Sequence, residues 1–236
     1  MHIEVINAII THEVKLLLSK LAFKMKILLS QEFLIQNKVY NLIKYSVLFF
    51  GFCIFSLTLI NSHDDVQKFG AIFSLVCIPL CFLGLTNNLI KTDIEDGSLE
   101  YLLITSSAQK IVLSKFLVLS LITLFCFVLV SPLLAIFFNL QFYQVVILLL
   151  TSLLLITLSS ALIILIASIQ GYFRSNTNFF AILVMPLILP NIILAGILTQ
   201  NLQETHLLVI MLGINLVIIP PTLYLSSYLI DNIYNI

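Results

Sequence analysis

The sequence predicts an all-α integral membrane protein with six transmembrane helices and both termini cytoplasmic. Three observations carry this prediction. The first is composition: of 236 residues, 61% are apolar and 9% charged, and the mean hydropathy is +1.16. A soluble domain is about 45–50% apolar and about 25% charged, so this chain has too little polar surface to cover a soluble core. A soluble enzyme, a nucleic-acid binder and a disordered tail are thereby excluded. The second is that six runs of roughly the length needed to cross a bilayer, about 20 apolar residues, can be cut from the sequence. The third is charge asymmetry. With the N-terminus inside, ten basic residues (Lys15, Lys20, Lys24, Lys26, Lys38, Lys44, Lys91, Lys110, Lys115 and Arg174) fall on the cytoplasmic side and only Lys68 outside, as the positive-inside rule requires.

The expected spans are 43–60, 70–90, 111–138, 145–169, 179–199 and 207–230. The first carries one charge, Lys44, near its start. The third is long enough to tilt, with Lys115 expected to snorkel from its end. The runs are continuously apolar, where barrel strands would alternate over about ten residues. A helix also satisfies its backbone within one segment, as lipid demands. Short outer connectors are expected at 61–69, 139–144 and 200–206. On the inner side lie the N-terminal region, residues 91–110, a turn at 171–178 and a six-residue tail. Residues 1–24 scatter charges and lack the apolar stretch of a signal peptide. Residues 26–35 have a partly one-sided pattern, which suits either a helix lying at the inner interface or a lead-in to the first span.

Polar residues concentrate between the second and third spans. Residues 91–101 read K-T-D-I-E-D-G-S-L-E-Y, and four of the chain's eleven acids (Asp93, Glu95, Asp96 and Glu100) fall within eight positions. Thr92 and Glu95 have capping-box spacing, and Asp96-Gly97 is a turn signal. Ser98 can cap a further helix in which Leu99, Leu102 and Leu103 share a face. This predicts a short amphipathic cytoplasmic helix, either resting at the interface or gripped by a cytoplasmic partner. The chain has no GxxxxGK[ST] nucleotide-binding loop, so if ATP energises it, the ATPase is a separate subunit.

The string Thr92-Asp93-Ile94-Glu95-Asp96-Gly97-Ser98-Leu99-Glu100-Tyr101-Leu102-Leu103 resembles the D-x-x-D-G-[ST]-L-E-x-L-L signature of the haem exporter protein B family, CcmB. Other exporters of the ABC-2 class carry a looser form. Ser131-Pro132-Leu133-Leu134-Ala135 resembles that family's S-P-L-L-A run in its third span, and Val184-Met185-Pro186-Leu187-Ile188-Leu189-Pro190 its L-x-L-P-L-x-x-P fifth span. Arg174 matches a basic position before that span. Ile90-Lys91 depart from the aromatic or arginine residues usual ahead of the signature. The resemblance covers roughly residues 25–230. It marks 1–24 as an N-terminal extension and 25–236 as a single ABC-2-type permease domain.

What the resemblance implies is a non-catalytic permease subunit in the bacterial inner membrane. Its partners would be a cytoplasmic ABC ATPase, other cytochrome c maturation membrane proteins and, indirectly, a periplasmic haem chaperone. It would bind no cofactor of its own. Haem would be cargo, or handled elsewhere in the complex, and ATP would act through the partner. The subunit would either pass haem or transmit ATP-driven motion that releases the loaded chaperone. Related complexes assemble such subunits in pairs, so a homodimer is an expectation. The coupling residues would be Thr92, Asp93, Glu95, Asp96, Gly97, Ser98, Leu99, Glu100, Leu102 and Leu103. A generic ABC-2 exporter of lipid, polysaccharide or drug, and a non-transporting assembly scaffold, are the alternatives.

Single residues add less. Pro132, Pro186 and Pro190 lie within spans, and two prolines four apart are expected to break the fifth helix near mid-membrane, as a hinge or a static kink. Asn87, Asn88, Asn191 and Asn215 need partners in lipid and are expected to join helices. Cys53, Cys77, Cys81 and Cys126 lie in apolar runs and form no CxxC motif. His63 and His206 fall in separate outer loops with no tryptophan nearby to hold a porphyrin.

Overall fold

A computed structural model describes residues 25–38, 41–60, 63–83, 89–173, 179–200 and 204–234, and these are helices and turns without a strand among them. In chain order the helices are α1 (Met25–Lys38), α2 (Leu42–Ile60), α3 (His63–Leu83), α4 (Lys91–Glu95), α5 (Ser98–Thr105), α6 (Ala108–Phe137), α7 (Phe142–Phe173), α8 (Phe179–Gln200) and α9 (His206–Asp231). Helices α6, α7 and α9 are each long and apolar enough to cross a bilayer. α1 and α2, taken together as one span bent by 54°, make a fourth. The apolar stretches Gly70–Phe82 of α3 and Met185–Gln200 of α8 are shorter.

The boundaries depart from the sequence reading in instructive ways. The second expected span, 70–90, starts earlier, since residues 63–69 already belong to α3, and its last part, 84–88, lies outside the described residues. Most of the outer connector expected at 61–69 is therefore helix. Leu89 and Ile90 form a turn that leads into α4. α7 runs on to Phe173, which takes Gly171 out of the expected inner turn and into the helix. Residues 1–24, Asn87, Asn88 and Arg174 lie outside the described residues.

The α6–α7 turn shows how tightly this sequence can reverse. Asn139 takes a left-handed backbone, φ 51°, which asparagine tolerates better than other side chains. The Leu140 amide then donates to the Ala135 carbonyl and the Phe138 amide to that of Leu134, both at 3.0 Å, closing the end of α6. Gln144 Oε1 accepts from the Gln141 amide at 2.9 Å and so caps the start of α7.

α7 is the most enclosed span and packs against α3, α4, α6, α8 and α9, while α2 lies against α3 and α6. At the α2–α6 contact the Phe50 and Phe127 rings meet edge to face at 5.6 Å, a favoured aromatic geometry. The expected role of the span asparagines is visible at Asn191 and Asn215. Asn191 Nδ2 donates to Asn215 Oδ1 at 2.7 Å, and Asn215 Nδ2 donates to the Leu154 carbonyl at 2.7 Å. One buried polar chain therefore ties α8, α9 and α7 together, at the place where hydrocarbon offers no other partner.

The break expected in α8 is absent. The helix is continuous from Phe179 to Gln200 with Pro186 and Pro190 inside it. Both prolines are exposed on its surface. Proline has no N–H to return to the carbonyl four residues earlier, so Pro190 forgoes its bond to Pro186, but the flanking turns carry the helix through. α6 likewise runs uninterrupted through Pro132.

Candidate functional site

The acidic segment folds as two short helices at one end of the bundle. α4 begins at Lys91 with Ile90 before it, so Thr92 sits inside the helix and not at its cap. Asp96 ends α4, and Gly97 adopts φ 70°. A side chain at that φ would cost roughly 1 kcal/mol, which is why the D-G pair reverses the chain here. Ser98 is the first residue of α5 and caps nothing with its side chain. Its hydroxyl donates back to the Asp93 carbonyl at 3.3 Å, bracing the turn. The capping roles read from Thr92 and Ser98 are thus corrected: the apolar Ile90 and the left-handed Gly97 occupy the cap positions.

The two faces of the segment differ sharply. Leu99 is fully buried, and Leu102 and Leu103 pack against the core beside it, as their spacing predicted. Burying Leu99 contributes about 1.5–3 kcal/mol toward seating the segment. On the outer face Glu95, Asp96 and Glu100 are exposed, together with Tyr101 and Ile104. Lys91 and Glu95 form an exposed ion pair at 3.5 Å. α5 joins α6 through Ser106 and Ser107 alone. Beside that link lies a polar cleft of about 350 Å³, lined by Ser107, Gln109, Tyr224, Ser227, Tyr228 and Asp231.

Asp93 behaves differently from the other acids of the cluster. It is buried and points into the bundle. Its Oδ2 lies 2.6 Å from Lys115 Nζ of α6. The same ammonium contacts Glu32 of α1, at 3.0 Å to Oε1 and 3.2 Å to Oε2. Gln36 Nε2 donates to Glu32 Oε1 at 3.0 Å. Lys115 is 0% exposed, Glu32 4% and Asp93 5%. Lys115 therefore does not snorkel to water: it is held inside by two carboxylates from two other elements. Burial pushes the Asp93 carboxyl up from its ordinary range, Lys115 pulls it back, and Glu32 and Asp96 add to the upward push.

Sequence reasoning missed Glu32 and read Lys115 as snorkelling, and it left open which face of the helix carrying Glu32 meets the protein. On α1 the polar residues Glu32 and Gln36 face the protein, while Ile27, Phe33 and Leu34 are partly exposed on the opposite side. The signal available was the i, i+4 placement of Glu32 and Gln36 on one face of a largely apolar helix. Gly171 was missed as well. A Cβ there would lie 3.0 Å from Ile94 Cδ1 and 3.1 Å from Ile90 Cγ2. The bare glycine is what lets α4 lie directly on α7. Among the described residues no group of histidine, cysteine or carboxylate side chains could hold a metal ion.

Comparison with known proteins agrees with the family resemblance. The family model described as CcmB protein matches residues 23–230. An uncharacterized protein of Rickettsia conorii (strain ATCC VR-613 / Malish 7) is 43% identical over 210 residues, covering 89% of this chain and 97% of its own length. An uncharacterized protein of Rickettsia prowazekii (strain Madrid E) is 42% identical over 210 residues, with the same coverage. With its apolar helices and its acidic segment between the third and sixth helices, the chain belongs to the CcmB family, the multi-pass membrane component of the haem-export ABC transporter of cytochrome c maturation.

Proposed function

We propose that this chain is the permease subunit of a cytochrome c maturation complex in the bacterial inner membrane, with six spans and both termini cytoplasmic. A separate ABC ATPase grips the outer face of α4–α5. ATP-driven closure of that partner moves the segment and so biases the arrangement of the spans. The motion serves haem export or release of the haem-loaded periplasmic chaperone. A paired arrangement of the subunit, and contact with the other maturation proteins of the membrane, belong to the same reading.

The observation that carries the proposal is the two-faced build of α4–α5 in a chain of this family. One face is anchored by Leu99 and Asp93, and the other presents Glu95, Asp96, Glu100, Tyr101 and Ile104 outward. The two-residue link to α6 passes any displacement of the segment straight into a span.

Two measurements test it. A peroxidase-activity haem stain of membranes from cells lacking the gene is expected to show loss of covalently haem-bearing c-type cytochromes, restored when the gene is supplied. Normal staining without the gene would return the generic exporter to first place. In the second, Glu95→Lys with Glu100→Lys is expected to lower the amount of co-purified ATPase about tenfold, equivalent to ~1.4 kcal/mol, with membrane insertion unchanged. Both positions are exposed, so folding does not depend on them. Undiminished ATPase recovery would remove the acidic outer face of α4–α5 as the docking surface.

A further inference from the structure

The charges around Lys115 do not balance: one ammonium faces two carboxylates in a buried site. A buried ion pair is tolerable when it is neutral and hydrogen-bonded, and an extra buried charge is costly. The two carboxylates are also unequally held. Glu32 touches Lys115 through both oxygens and accepts a further hydrogen bond from Gln36. Asp93 reaches Lys115 through one oxygen, from a five-residue helix at the edge of the bundle. Asp96, three residues along α4, adds like charge to the same helix. If α4 lifts away, Asp93 regains water and a neutral Lys115–Glu32 pair stays behind. If Glu32 were lost instead, Lys115 would have only Asp93.

We infer that Asp93 is the releasable member of a three-residue latch, for which Lys115 and Glu32 are the positioning residues. The segment is docked when Asp93 joins the Lys115–Glu32 pair and undocked when it leaves. Glu32 sets how firmly the segment is held by competing for the same ammonium. The inference deepens the coupling role proposed above and rests on it for its place in the transport cycle. The docking equilibrium itself does not depend on that role.

The test is amide hydrogen exchange over residues 91–105 in the full-length protein in detergent or nanodisc, without ATPase or haem. Glu32→Gln leaves Asp93 as the sole countercharge of Lys115. Exchange is expected to slow about tenfold, because undocking would strand a buried ammonium. Asp93→Asn leaves a neutral Lys115–Glu32 pair that needs no third member, and exchange is expected to rise about tenfold. Opposite signs are the mark of a latch. A merely structural cluster would loosen in both variants, and that result, or no change in either, overturns the proposal. Each variant retains one neutral pair. Should Glu32→Gln not reach the membrane, Glu32→Asp, which shortens the reach to Lys115 by one methylene, is expected to shift exchange in the same direction by a smaller factor, and faster exchange in it overturns the proposal equally. Haem staining and ATPase recovery in the same variants report on the coupling role. Their failure alongside opposite exchange shifts would count against that role and not against the latch.

Discussion

Replacing Lys115 with methionine is expected to destabilise the protein by about 3–5 kcal/mol, the cost of removing one partner from a buried ion pair. Methionine fills the space of the aliphatic stem, so little of the loss comes from packing. What remains is two carboxylates, Glu32 and Asp93, facing each other in a site where each is about one-twentieth exposed. Gln36 satisfies part of Glu32 but supplies no charge. The midpoint of denaturant unfolding in detergent measures the effect. Adding Glu32→Gln and Asp93→Asn to Lys115→Met removes both stranded charges and is expected to recover most of the loss, since a neutral buried cluster costs far less than a charged one. A Lys115→Met protein that unfolds at the wild-type midpoint would falsify burial of the triad, because only a hydrated site could lose its cation so cheaply.

The triad also shows what the sequence could and could not reveal. Helix positions followed from apolar run length, and Leu99 followed from its spacing with Leu102 and Leu103. Asn191 and Asn215 were expected to join helices because lipid leaves a polar side chain no alternative, and they do. These are local arguments, in which a residue and its neighbours in sequence carry the answer. Lys115 is another matter. A lysine near the end of an apolar run can snorkel or can pair, and the choice depends on whether a carboxylate from elsewhere reaches its level. Glu32 is 83 residues away, so nothing near Lys115 in sequence announces it. Asp93 was grouped with Glu95, Asp96 and Glu100 because the four are close in the chain. Only the helical turns of α4 and α5 and the reversal at Gly97 separate the one facing inward from those facing out. In α8, likewise, two prolines suggest a break or a kink, and the helix runs on through both.

Gly171→Leu is expected to unseat α4 from the bundle and to lower cytochrome c maturation by about tenfold or more. Glycine inside a helix costs about 0.5–1 kcal/mol relative to alanine, so its presence near the end of the 32-residue α7 calls for a compensating contact. That contact is α4: Ile90 and Ile94 approach to 3.1 and 3.0 Å of where a Cβ would stand. Alanine gains helix propensity and asks the two isoleucines to give by a few tenths of an ångström, so Gly171→Ala is expected to be nearly neutral. Leucine adds three further carbons against a buried surface, an overpacking cost of about 1–3 kcal/mol. The least costly relief is for α4 to move, because α7 is also held by α3, α6, α8 and α9, whereas α4 packs on α7 and its neighbour α5. Moving α4 draws Asp93 away from Lys115, and the Lys115–Glu32 pair remains neutral without it. Amide exchange over residues 91–105 should therefore rise in Gly171→Leu while the spans stay protected, and a haem stain of complemented cells should fall with it. Unchanged exchange in the leucine variant would show that Leu99, the Asp93–Lys115 contact and the link to α6 hold the segment without the α7 surface.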